Sequence, residues 1–90
     1  MWTLTDFYAD WCGPCQAMKP ALEKFETDYA GKIAVNKVDV DKNEQTAVQN
    51  NVMGIPTFII YKDTKEVSRR SGAMPYETFK GWVDSTIAAG

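Results

Sequence analysis

Ninety residues, 44% apolar and 12% aromatic, suffice for one small domain, 1–90, and are too few for two independent cores. Ten basic residues against twelve acidic give a net charge of −2, and only Arg69 and Arg70 are adjacent, so the clustered positive charge that nucleic acid requires is missing. No apolar run approaches the roughly 20 residues of a membrane helix, and the lack of histidine removes imidazole bases, histidine zinc sites and haem ligation.

The chain opens on Trp2–Ala9, "WTLTDFYA", whose aromatic and β-branched residues predict a strand. The start has no basic segment followed by an apolar one, so no secretory leader is expected and the default compartment is the cytoplasm. The only two cysteines follow at Cys12 and Cys15, separated by Gly13 and Pro14. A structural staple over so short a loop restricts the unfolded chain little. A zinc site wants four ligands, and the chain offers two thiols and no imidazole. A thiol pair that closes and reopens a small ring is a two-electron switch, and this reading is preferred.

Met18, Leu22, Phe25 and Tyr29 recur at helical spacing, which predicts a helix from Cys12 or Gly13 to Ala30 with Gly31 as its stop. Pro14 falls in the first turn, where its missing N–H costs nothing. Pro20 is expected to bend the helix or to divide it. Cys12 then sits where free backbone N–H groups and the helix dipole favour a thiolate, and Cys15 lies one turn on, with Cβ atoms about 5–6 Å apart. Cys12 is therefore the expected attacking thiol and Cys15 the resolving one.

Lys32–Val40 predicts a second strand, and Asp41–Asn51 a short helix capped by Asp41 or Asn43, with Asn51 suited to a left-handed C-terminal position. Thr57–Lys62, "TFIIYK", is nearly continuous apolar chain, as for a strand covered on both faces. "KDTKE" reads as a turn, and Glu66–Ala73 as a more polar edge strand. Pro75–Ala89 closes the chain as a helix burying Phe79, Trp82, Val83 and Ile87, while Tyr8 and Phe58 are also assigned to the core. The order is βαβαββα; strands alternating with helices imply parallel pairing, and the short turn implies one antiparallel hairpin.

"DFYADWCGPC" resembles the active-site segment of thioredoxins, and "NKVDVDKN", "GIPTF" and "SGA" follow in the family's order across essentially the whole chain. The resemblance implies an α/β thioredoxin-like fold. Members commonly begin with a further strand and helix, so a four-stranded mixed sheet flanked by helices is expected here. The Lys32–Val40 strand is then an exposed edge, and the protein a monomer unless that edge pairs with a second copy. The resemblance further implies a protein-disulfide reductase without a cofactor, acting on disulfide-containing proteins and recharged by a flavin- or ferredoxin-dependent thioredoxin reductase. It assigns Asp6 to the buried carboxylate that takes the Cys15 proton, Lys37 to the lysine beside it, and Pro56 to a cis-proline facing the disulfide. Trp11, Gly13, Pro14, Gly54, Ile55 and Gly72 would frame the substrate groove. Gly-Pro between the cysteines favours a reductant over an isomerase or oxidant, and "SGAM" before the last helix argues against glutathione use. A glutaredoxin-like or isomerase-type protein, or a non-catalytic adaptor of the same fold, is the alternative.

Overall fold

The structure, a computed structural model, describes residues 1–90. Chain order is β1 (Trp2–Tyr8), α1 (Gly13–Asp28), β2 (Ala34–Asp39), α2 (Glu44–Gln49), β3 (Thr57–Lys62), β4 (Lys65–Ser71) and α3 (Tyr76–Ala89). The strands form one four-stranded sheet in the order β2-β1-β3-β4. The expected βαβαββα order and mixed sheet are therefore present, with β2 and β4 at the two edges.

The direction of β3 departs from the simple alternation rule. β1 and β2 are parallel, as α1 crossing between them requires, but β3 runs antiparallel to β1 as well as to β4. The cause lies in α2. Its six residues span about 9 Å, against about 20 Å for a six-residue strand, so the helix does not return the chain to the far end of the sheet. β3 consequently enters near the end where β2 leaves.

Strand alternation divides the core. Leu4, Phe58 and Ile60 face α1 and α3 and join Met18, Leu22, Phe25, Phe79 and Val83 in the main cluster. Phe79 packs edge-on against both Phe25 and Phe58, with ring centroids 5.1 and 5.0 Å away. Phe7 and Ile59 face the other way, onto Ala47 of α2. Phe58, Ile59 and Ile60 are each fully buried, so β3 is covered on both faces as its composition suggests.

α1 continues unbroken through Pro20 and ends at Tyr29, after which Gly31 takes the left-handed φ of +82° that stops the helix. The Lys32 and Ile33 amides bond back to the Tyr29 carbonyl, which delays β2 to Ala34. Asn43 caps α2 without a side-chain bond, and Asn51 adopts φ 55° as its type predicts. Arg69 of β4 braces this region. Its guanidinium donates to the Asn50 carbonyl at 2.9 Å and the Asn51 carbonyl at 3.3 Å, and forks onto Glu66.

Two core assignments need correcting. Ile87 is half-buried, and Thr86 takes the interior place, since 79, 82, 83 and 86 keep helical spacing. The Thr86 hydroxyl donates to the Trp82 carbonyl at 2.8 Å, which satisfies its polar group inside the core. Tyr8 is half-buried, because β1 carries it past the cover of the main cluster to the wall of a cleft. No helix is long and apolar enough to cross a membrane.

Candidate active site

The first turn of α1 begins at Cys12, whose backbone is extended at φ −84° and ψ 111°, with Pro14 placed where the helix leaves N–H groups free anyway. The Cys15 N–H points at Cys12 Sγ from 3.2 Å. The two cysteines are joined as a disulfide with Cα atoms 5.2 Å apart. Cys12 and Cys15 are 4% and 5% exposed, so the pair lies just beneath the surface against Ala9.

The segment entering β3 forms the facing wall. Ile55–Pro56 is a cis peptide, and the Ile55 carbonyl oxygen lies 3.8 Å from Cys12 Sγ. The Thr57 hydroxyl donates to the Gly54 carbonyl at 2.5 Å, and the Gly72 N–H donates to the Pro56 carbonyl at 2.8 Å. Gly72 sits at φ +94°, a conformation that side chains rarely adopt, which accounts for glycine where the chain leaves β4 to touch this wall. Gly54 is open to solvent.

Trp11 is 70% exposed beside the pair, yet its indole N–H donates to Asp41 Oδ2 at 2.8 Å. Asp41 is itself steadied by its N–H on Asp39 Oδ1 at 2.9 Å. Gly13 and Pro14 are exposed at the tip of α1.

Below Cys15, a cleft of about 350 Å³ runs to Asp6 and is lined also by Tyr8, Leu22 and Lys37. Asp6 is 4% exposed, and its Oδ1 has no hydrogen-bond partner. Burial pushes its carboxyl up to about 6; the Lys37 charge opposes this rise, and Glu26 adds to it. Lys37 is the Cα partner of Asp6 across β1 and β2. Its ammonium nevertheless pairs with Glu26 Oε1, 2.8 Å away.

The structure thus brings Cys12, Ile55, Pro56 and Gly72 together on one side, and Cys15, Asp6 and Lys37 around the cleft on the other. The sequence suggests Asp41 only as a helix cap and Tyr8 only as core, and gives Glu26 no role at the site. Glu26 carries one visible signal, its place beside Phe25 at the border of the apolar stripe, but its partner comes from another element.

A Cys-x-x-Cys disulfide at a helix N-terminus, set against a cis-proline on a mixed sheet, defines a thiol–disulfide oxidoreductase of thioredoxin-like fold. Comparison with known proteins narrows the class. The family model described as Thioredoxin matches residues 2–85. Thioredoxin from Staphylococcus aureus is 44% identical over 84 residues, covering 93% of this chain and 81% of that protein. Thioredoxin C-2 of Corynebacterium nephridii is 42% identical over 84 residues, covering 93% and 78%. The solved structure of a point mutant of Halobacterium salinarum thioredoxin superposes with a TM-score of 0.84 at 36% identity, over 94% of this chain and 74% of that one. The chain belongs to the thioredoxin family. It is a thioredoxin-type protein-disulfide reductase working through the Cys12–Cys15 pair.

Proposed function

We propose that Cys12 is the attacking thiolate, Cys15 the resolving thiol and Asp6 the acceptor of the Cys15 proton. The observation that carries the assignment is the Cys15 N–H aimed at Cys12 Sγ from 3.2 Å. In the reduced protein that donor meets a thiolate and stabilises it, as does the helix N-terminus. Cys12 attacks one sulfur of a substrate disulfide, whose S–S bond breaks and releases a substrate thiolate. The Cys15 thiol then passes its proton across the cleft to the Asp6 carboxylate. The Cys15 thiolate attacks Cys12 Sγ, expels the second substrate thiolate and closes the Cys12–Cys15 disulfide. The substrate gains two electrons and this protein loses two.

Lys37 sets the electrostatic surroundings of Asp6. Trp11, Gly13, Pro14, Gly54, Ile55, Pro56 and Gly72 frame the docking groove, where an extended substrate segment pairs with the backbone beside Pro56. The partners are disulfide-containing proteins and a flavin- or ferredoxin-dependent thioredoxin reductase that returns two electrons. A reducing compartment such as the cytoplasm suits that cycle. The chemistry needs one chain only, which supports a working monomer. Reduction of insulin with dithiothreitol as electron source tests the reading: faster precipitation of the freed B chain is expected, and no acceleration would leave a non-catalytic adaptor.

A further inference from the structure

Asp6 and Lys37 are neighbours in register on the same face of the sheet, and a lysine in that place has every electrostatic reason to close on the carboxylate. It does not. Its ammonium turns to α1 and sits 2.8 Å from Glu26 Oε1, with no ion contact to Asp6. That Glu26 oxygen is enclosed, and the Lys37 ammonium is the one charged group within reach of it; the contact holds Lys37 in its charged form. Asp6 Oδ1 is left bare in the cleft that leads to Cys15.

We propose that Glu26 is a positioning residue for the reductase: it holds Lys37 against α1, off Asp6, and so keeps the Asp6 carboxylate free to receive the Cys15 proton. The inference rests on the proton-acceptor role proposed for Asp6. Glu26 touches neither reacting sulfur and acts through Lys37. Were Lys37 to swing onto Asp6, the carboxylate would be neutralised by a permanent partner and would become a weaker base.

The other groups facing Asp6 do not supply this control. Phe58, its partner on β3, carries no charge. From α1, Lys19 and Glu23 line the cleft and carry opposite charges one turn apart, while Tyr8 and Asp10 line it from β1 and the loop beyond. The directions of the electrostatic effects agree with the geometry, since Lys37 lowers the Asp6 pKa and Glu26 raises it.

The test is a carbon-13 NMR titration of the Asp6 carboxyl in the oxidised 90-residue chain, together with the pH profile of insulin reduction. Glu26→Gln removes a negative charge and frees Lys37, and both changes act in the same direction. The Asp6 midpoint is expected to fall by roughly one pH unit from about 6, and the acidic limb of kcat/KM to move down with it. In the double variant Glu26→Gln/Lys37→Met the midpoint is expected to climb back, because no ammonium remains to close on Asp6. An unmoved midpoint in Glu26→Gln overturns the proposal, and so does an equally large fall when Glu26→Gln is made in the Lys37→Met background, which would make Glu26 a direct repeller only. Should Glu26→Gln unfold, Glu26→Asp, with its shorter reach, is expected to give a smaller fall, and no fall overturns the proposal. A displaced titration with an unmoved rate profile leaves the hold on Lys37 standing and removes Asp6 from proton transfer.

Discussion

The backbone N–H of Cys15 lies 3.2 Å from the sulfur of Cys12, so the residue proposed to close the disulfide also solvates the sulfur proposed to open the reaction. The donor belongs to the backbone and survives replacement of the Cys15 side chain. Cys15→Ser is therefore expected to keep a reactive Cys12 and to accumulate a mixed disulfide with substrate, visible by mass spectrometry, with no turnover above the dithiothreitol background. Cys12→Ser is expected to give neither adduct nor turnover. The reverse pattern would exchange the two roles.

Asp6 makes stability depend on pH. Its carboxyl is raised from 3.8 to about 6 in the fold, so the native state favours the protonated form. That contribution is complete below pH 3.8 and is lost as pH rises through about 6. Above that window the buried carboxylate is a cost of about 3 kcal/mol, taking 1.36 kcal/mol per pH unit. Asp6→Asn is expected to be more stable than the parent by up to that amount near neutral pH and to converge with it in acid. Urea unfolding across the range measures this, and parallel curves at every pH would show that Asp6 is not the group responsible. The same variant is expected to slow turnover most near neutrality.

Trp11 is exposed but held. Its tie to Asp41 is a single solvent-facing hydrogen bond, worth about 0.5–1.5 kcal/mol. Asp41→Ala is expected to leave the dithiol chemistry intact and to lower kcat/KM for insulin by about two- to tenfold, mainly through KM. A fall confined to kcat would mean that Asp41 touches the chemical step instead.

Arg69 supplies charge-assisted donors to two carbonyls at the end of α2, where the helix has no partners of its own. Arg69→Met is expected to cost about 1–3 kcal/mol in denaturant unfolding. Arg69→Lys is expected to recover only part of this, because a point charge lacks the planar fork that reaches both carbonyls and Glu66 together. Full recovery by lysine would reduce the role of Arg69 to its charge.

Much of this arrangement is readable along the chain. The spacing of Met18, Leu22, Phe25 and Tyr29 places α1, and all four are buried. The run Phe58-Ile59-Ile60 announces a strand covered on both faces, and the cysteine pair with Pro14 announces a helix start. The unread parts depend on how distant segments meet. Asp41 reaches Trp11 across thirty residues, and Glu26 acquires its meaning only when β2 places Lys37 opposite Asp6. Thr86 looks too polar for the interior until its hydroxyl is seen to bond one turn back. The reversal of β3 follows from the shortness of α2, a matter of span that alternation alone does not express.

The two faces of the sheet are unequally insulated: eleven buried side chains knit α1 and α3 to one side, whereas three do so beneath α2 on the other. Ile55 and Val52 belong to the thinner layer. Amide hydrogens there should exchange with solvent sooner than those of α1. Cys12, the proposed nucleophile, is thus carried by the more densely packed helix while the wall facing it rests on the thinner layer, an arrangement suited to disulfides presented by partners of many shapes.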